Sequence, residues 1–246
     1  MRKKLIFFTF LAIFFMADPA PESWTISLDR AVRIPGLSRE TWLEINALRY
    51  TTRWSNGMGR DIRFQNRYNR HIASAQRHWD DIDPFILKSL LIQESSLRES
   101  HRRRYAGIAQ LGRREARLVG LCVSRQNDQR LDPESAVSAC VKVLSLKAQA
   151  LESGGFKDYG RPRGDEYWKF IAAAYNAGEG TINRAMRLAY GDSHPNTVVF
   201  NDLLASSGDT IADSPLYQAL IYSRNRSAKF RETKEFAENV VTRARQ

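Results

Sequence analysis

A glutamate closes a strongly apolar helical run. In Pro84-Phe85-Ile86-Leu87-Lys88-Ser89-Leu90-Leu91-Ile92-Gln93-Glu94-Ser95-Ser96, the residues Ile86, Leu87, Leu90 and Leu91 define a buried stripe. Glu94 continues that stripe, because side chains three and four apart share a helix face. A carboxyl there is partly desolvated and lies near the helix C-terminus, where the dipole disfavours negative charge. Both effects are expected to raise its pKa. An acid that stays protonated near neutral pH is what general-acid catalysis requires. The competing explanation is an interhelical salt bridge to one of many arginines. Two further segments stand out, Gly107-Ile108-Ala109-Gln110 and Ala173-Ala174-Tyr175-Asn176-Ala177-Gly178. His71, His78, His101 and His194 are scattered without ligand spacing, and phosphate-loop, dinucleotide and nucleophile-elbow motifs are absent. No metal and no cofactor are expected.

The elements that position these residues are overwhelmingly helical, with no sustained period-2 alternation and no repeats. Asp83-Pro84 opens the Glu94 helix, pairing a good cap with a residue suited to the first helical position. Asp132-Pro133 repeats the device and opens a helix with Val137, Cys140, Val141, Leu144 and Leu151 inward, ended by Gly154-Gly155. Over residues 60–79 the spacing of Phe64, Tyr68, Ile72, Ala75 and Trp79 predicts one helix. Arg63, Arg67, Arg70 and Arg77 lie on its opposite face, either as a solvated stripe or as a contact surface for an acidic polymer. Ser38 reads as the cap of an earlier helix, broken by Ser55-Asn56-Gly57 and Gly59. Further helices are expected over 165–175, from Gly180 to Tyr190, over 217–223 and over 229–245. Residues 191–213 read as a long loop.

The chain has 246 residues and a formal net charge of +11, which suits one main domain with an appendage. Arg2, Lys3 and Lys4 followed by the apolar run Leu5 to Met16 read as a signal peptide or an uncleaved N-terminal anchor over residues 1–20. Residues 21–60 form an extension of unassigned role, and 61–246 the main domain. Export lowers the prior for nucleic acid as the partner of a basic chain. Acidic wall polymers and anionic lipid then become the relevant polyanions, the membrane only if the N-terminal segment is retained. Cys122 and Cys140 are compatible with a disulfide, which in the chain-entropy model stabilises by about 3 kcal/mol. Two buried free thiols are the alternative.

Taken in order, Gln93-Glu94-Ser95-Ser96-Leu97, Gly107-Ile108-Ala109-Gln110, Ala173 to Gly178 and Glu232-Thr233-Lys234-Glu235-Phe236-Ala237 resemble the soluble lytic transglycosylase family, related to goose-type lysozyme. The family patterns are E-S-x-F, G-L-M-Q, A-Y-N-A-G and E-T-R-x-Y-V. The resemblance spans about Tyr68 to Val240. It implies a mainly α, lysozyme-like domain with a short N-terminal helical extension, acting on peptidoglycan outside the cytoplasm. It also implies Glu94 as the catalytic acid/base, with Ser95, Gly107, Gln110, Tyr175 and Asn176 as substrate-side residues. Glu99 and Glu115 sit in arginine-rich surroundings and read as surface ion-pair residues, so Glu94 would act alone.

Such an enzyme would cleave the MurNAc–GlcNAc β-1,4 bond with formation of 1,6-anhydroMurNAc. A hydrolytic muramidase, or a weakly active or non-catalytic glycan-binding component of a cell-envelope secretion or assembly machine, are the alternatives. Four departures from the patterns stand out. Ile108 and Ala109 replace Leu and Met, and the stretch from Glu94 to Gly107 is slightly short and carries His101-Arg102-Arg103-Arg104. Ser100 is the nearest candidate for the family's loop serine. Phe236 stands where the family has a tyrosine whose hydroxyl would help orient the acid, with Tyr105, Tyr217 and Tyr222 as possible substitutes.

Overall fold

The computed structural model describes residues 38–54, 62–79, 81–99, 101–102, 104–206, 208 and 210–246. The expected export segment 1–20, residues 21–37, the break at Ser55-Asn56-Gly57 and Gly59, Ser100 and Arg103 lie outside them. The helices, in chain order, are α1 (Arg39–Arg49), α2 (Ile62–Asn66), α3 (Asn69–Gln76), α4 (Pro84–Ser95), α5 (Arg113–Leu118), α6 (Pro133–Glu152), α7 (Gly155–Tyr159), α8 (Gly164–Ala177), α9 (Glu179–Tyr190), α10 (Phe200–Leu204), α11 (Pro215–Ala219) and α12 (Arg226–Ala244). Single 3-10 turns occupy Gln129–Leu131 and Ile211–Asp213. Among the described residues no helix is long and apolar enough to cross a membrane.

The mainly α expectation is met, and α4 is its centre. Asp83 Oδ1 accepts from the amides of Phe85 at 2.8 Å and Ile86 at 3.2 Å, a cap worth about 1 kcal/mol. Beyond the cap the helix is buried almost all round, which is the signature of a core helix rather than a surface one. The long helix α12 packs along α8 and α4, while α6 packs against α3 and α8. Asp132 caps α6 through the Ser135 amide at 2.9 Å. Val137, Cys140, Val141, Leu144 and Leu151 are fully buried, as their spacing requires.

Three expectations are corrected. The single helix over 60–79 is two, α2 and α3, separated at Arg67-Tyr68. The side chains of Gln65 and Asn66 are drawn sideways onto the extended segment Thr52–Trp54. Asn66 bonds the amide and carbonyl of Thr52 at 2.9 and 3.0 Å, and Gln65 those of Trp54 at 3.0 and 2.6 Å. The loop over 191–213 contains α10, whose Phe200 and Leu203 are fully buried. Finally, the chain holds a small antiparallel sheet of β1 (His101–Arg102), β2 (Tyr105–Ala106) and β3 (Leu111–Gly112), in that spatial order. Strands of two residues are too short to show alternation.

The described part of the N-terminal extension belongs to the same core. Trp42, Leu43, Tyr50 and Trp54 are buried in the cluster that includes Leu90, Ile171 and Val240. Lys88 of α4 reaches into this junction with 0% exposure. Its Nζ donates to the carbonyl of Tyr50 at 2.8 Å and to Asn66 Oδ1 at 2.6 Å, 5.6 Å from the centre of the Trp54 ring. Burial pushes its pKa down from 10.5 to about 7. Between those values the unfolded chain binds more protons than the folded one. Stability from this group is therefore complete above 10.5 and is lost as the pH falls through about 7. In urea titrations from pH 7 to pH 10, Lys88→Met is expected to show a shallower rise of stability with pH than wild type. Equal slopes would refute the assignment.

Candidate active site

Helix α4 stops abruptly just past Glu94. Ser96 and Leu97 both adopt left-handed backbone, with φ of 53° and 55°, and the Ser96 amide closes onto the Ile92 carbonyl at 2.7 Å. Leu97 then turns inward and is buried. The apolar last position of Glu94-Ser95-Ser96-Leu97 is thus a plug that ends the helix and leaves Glu94 partly exposed at its rim.

The segment Gly107-Ile108-Ala109-Gln110 forms the turn between β2 and β3, and the carbonyls of Gly107, Ile108 and Ala109 are each met by a donor. Ser95 Oγ donates to the Ile108 carbonyl at 2.7 Å, with the Leu91 carbonyl at 3.2 Å. Tyr175 on α8 donates its hydroxyl to the Ala109 carbonyl at 2.7 Å. Gln110 folds back so that its amide side chain reaches the Gly107 carbonyl at 2.7 Å, next to its own backbone contact at 3.1 Å. Arg130, wholly buried, donates to the Leu111 carbonyl at 3.0 Å and is held by Asp128 at 2.6 Å. Gly107 has φ +74°, and a Cβ there would lie 1.6 Å from the Arg130 carbonyl oxygen. Glycine is therefore required both by the backbone angle and by the close approach of a second chain segment.

Asn176 sits one residue beyond Tyr175 and faces α12. Its Nδ2 donates to Glu232 Oε1 at 2.9 Å, and its Oδ1 accepts from Thr233 at 2.8 Å. Lys229 also holds Glu232, at 2.8 Å. Burial raises the Glu232 pKa, but the hydrogen bonds from Lys229 and Asn176 outweigh it and leave the carboxyl below its ordinary range. Helices α8 and α12 are thereby locked at the positions where two of the sequence motifs stand.

Electrostatically, Glu94 and Glu115 both act on Tyr175 and Cys140. Burial raises the Tyr175 pKa well above its usual value, and the neighbouring Cys140, Glu94 and Glu115 add to that. Cys140 is pushed up by burial as well, with the Tyr175 hydrogen bond opposing it. Its sulfur lies 3.7 Å from the Tyr175 oxygen. The Cys122–Cys140 disulfide is not formed: both thiols are free, Cys122 exposed and Cys140 buried against Tyr175. Glu115 bonds Lys147 at 3.0 Å, and Glu179 bonds the same lysine at 2.7 Å. This trio lines a groove of about 810 Å³ together with Arg104, Tyr105, Gly112, Arg113, Arg114 and Leu118.

The structure ties Ser95, Gln110 and Tyr175 to the turn that Gly107 opens, with Glu94 within electrostatic reach of Tyr175, and it turns the side chain of Asn176 to α12. The hydroxyls of Ser95 and Tyr175 bind the turn, and the Asn176 amide binds α12. Arg130, Asp128, Thr233 and Lys147 were missed by sequence reasoning. Only Thr233 lay inside a noted motif; the others are ordinary charged residues, and the contacts that tie Arg130 to Leu111 and Lys147 to Glu179 span 19 and 32 residues of chain. Of the tyrosines that could stand in for Phe236, Tyr222 is 89% exposed and Tyr105 48%, while Tyr217 packs 6.3 Å from the Phe230 ring. Phe236 itself is buried on α12.

A family model described as "Transglycosylase SLT domain" matches residues 72–197, a little over half of the chain. The match includes Glu94, the turn, and Tyr175-Asn176, and it ends before α12. No curated protein matches the chain.

Two stability measurements test the turn. Gly107→Ala is expected to cost roughly 4 kcal/mol, the range reserved for backbone and packing conflicts. Tyr175→Phe removes the donor to a buried carbonyl and should cost about 1–3 kcal/mol. Wild-type urea midpoints in both variants would show that the turn is not clamped as described.

Proposed function

Because the chain belongs to the transglycosylase SLT domain family, an enzyme family, we propose that it cleaves the β-1,4 bond between MurNAc and GlcNAc of peptidoglycan. Glu94 acts as its single general acid/base. The observation that carries this reading is the place of Glu94. It is a carboxyl at the partly exposed end of a buried helix, gathered with three other motif segments that the fold holds rigidly. Glu115 and Glu179 share Lys147, so neither is a ready second acid of the kind that paired-carboxylate glycosidases use.

The chemistry needs one acid. The Glu94 carboxyl gives its proton to the glycosidic oxygen as the bond to C1 of MurNAc breaks. The resulting carboxylate takes the proton of the C6 hydroxyl on the same sugar, and that oxygen closes onto C1. The product is a 1,6-anhydro end, no water is consumed, and the carboxyl returns to its starting state. The acetamido group at C2 stabilises the oxocarbenium-like centre. In this scheme Ser95, Gly107, Gln110 and Tyr175 act chiefly by holding the wall of the glycan site, and Asn176 by holding α8 to α12. Action on peptidoglycan places the protein outside the cytoplasm, in the periplasm or held at the inner membrane by residues 1–20. A role beside a secretion or assembly machine is compatible with that location.

Phe236 favours a second reading, a glycan-binding component with little turnover, because no hydroxyl is available at that position to orient the acid. Mass spectrometry of muropeptides released from purified sacculi separates the cases. Wild type is expected to release anhydro-ended fragments, and Glu94→Gln to lower the rate about 10²–10⁴-fold. Free reducing ends would instead indicate hydrolysis. Full activity in Glu94→Gln would remove this residue from the mechanism, and binding without any release would support the second reading.

A further inference from the structure

Two arginines that were candidates for polymer contact are engaged within the fold. Arg67 donates to the Leu97 carbonyl and stacks over the rings of Phe64 and Tyr68 at 4.4 and 4.5 Å. Arg70 is paired with Glu40. A second cluster is placed differently. Arg113 and Arg117, one turn apart on α5, and Arg125, in the loop that follows, line a single cavity of about 510 Å³. It is separate from the groove that holds Lys147, though Arg113 borders both. All three arginines are exposed, and none makes an ion pair among the described residues. Arginines four apart share a helix face, and like charges at that spacing repel. Asp128 also lines the cavity, but its carboxylate is committed elsewhere. Its two oxygens accept from Nε and Nη2 of the wholly buried Arg130 at 2.8 and 2.6 Å. The cavity therefore gathers three cations that the fold itself does not neutralise.

The walls are held in place. Arg117 Nη2 donates to the Val123 carbonyl at 2.9 Å, which ties α5 to the loop. Val123 and Asp128 pair as a β-bridge. The Ser124 amide reaches the Asn127 carbonyl at 2.8 Å, and the Gln129 amide reaches the Cys122 carbonyl at 3.0 Å. Val123 and Leu131 add apolar surface to the lining.

We propose that this cavity binds a phosphomonoester, with Arg113, Arg117 and Arg125 around the phosphate and Val123 and Leu131 against its organic part. Such a phosphate carries a charge of roughly −1.5 to −2 near neutral pH and several strong acceptor oxygens. Guanidinium forks match those oxygens two at a time. Three forks on one cavity suit a compact, multiply charged anion better than a single carboxylate. Small-molecule sites commonly enclose roughly 300–1,000 Å³, so the cavity has room for an ester with a small organic group. A soluble phosphate ester and the headgroup of an anionic lipid both present this chemistry. The inference is independent of the reaction proposed above.

The test is isothermal titration calorimetry of the full chain with glycerol phosphate at low salt. Saturable binding is expected, weakened by added salt because the guanidinium groups are exposed. Arg113→Gln with Arg125→Gln should weaken it about tenfold. Both side chains are exposed, and Arg117, which ties α5 to the loop, is left in place. A control pair, Arg187→Gln with Arg224→Gln, removes the same charge from exposed positions outside the cavity. It should stay within about twofold of wild type. No saturable binding in wild type, equal losses in the two double variants, or equally tight binding of the tricarboxylate tricarballylate would overturn the proposal. Phosphatidylcholine vesicles with and without phosphatidic acid then assign the source. A preference for phosphatidic acid that falls in the cavity variant upholds the site with a lipid headgroup as ligand. A vesicle preference that is absent or unchanged, beside arginine-dependent binding of glycerol phosphate, upholds it with a soluble ester.

Discussion

Gly107, Ile108, Ala109 and Leu111 are buried, and the backbone carbonyl of each is met by a donor from a different place. Gln110 supplies one from the turn itself, Ser95 one from the end of α4, Tyr175 one from α8, and Arg130 one from the segment before α6. An unmet buried carbonyl costs about 1–3 kcal/mol, so the turn has one comfortable placement, and that placement fixes how α4 and α8 approach each other. The relation runs both ways. With the turn held, the rim next to Glu94 is a rigid surface, which is the condition for positioning a substrate bond within a few tenths of an ångström.

Charge is arranged around the same point. Burial raises the pKa of Tyr175 and of Cys140, and Glu94 and Glu115 both add to it, so neither buried group brings a charge of its own. Lys147 is held above its ordinary pKa: burial opposes this, but Glu115 and Glu179 outweigh it. Glu115 is thereby committed to an ion pair. The asymmetry between one carboxyl at the rim and another bound to a lysine is why the proposed reaction gives acid/base work to the first alone.

Much of this was legible in the chain. Asp83-Pro84 and Asp132-Pro133 mark the starts of α4 and α6, and the apolar stripe of α6 is buried as its spacing demands. The ordered motifs led to Glu94, the turn and the end of α8. What stayed hidden depends on contacts between distant segments. The hydroxyl of Tyr175 meets a carbonyl 66 residues away, and that of Ser95 one 13 residues away, so no local pattern could distinguish a turn clamp from a ligand contact. The break between α2 and α3 has the same origin, since Gln65 and Asn66 are recruited by Thr52 and Trp54. The paired-cysteine reading failed because even count and loop length say nothing about which way each thiol faces.

Lys88 has a consequence for where this domain can be cut. The family-matched segment starts at residue 72, yet the oxygen atoms that receive the Lys88 amine belong to Tyr50 and Asn66, and the ring beside it to Trp54. A fragment trimmed to the matched segment would keep the lysine, lose all three neighbours, and open an apolar cavity around a bare amine. Recognisable homology and the packing around Lys88 thus have different borders in this protein. The helix that carries Glu94 is supported from outside the part by which its family is known.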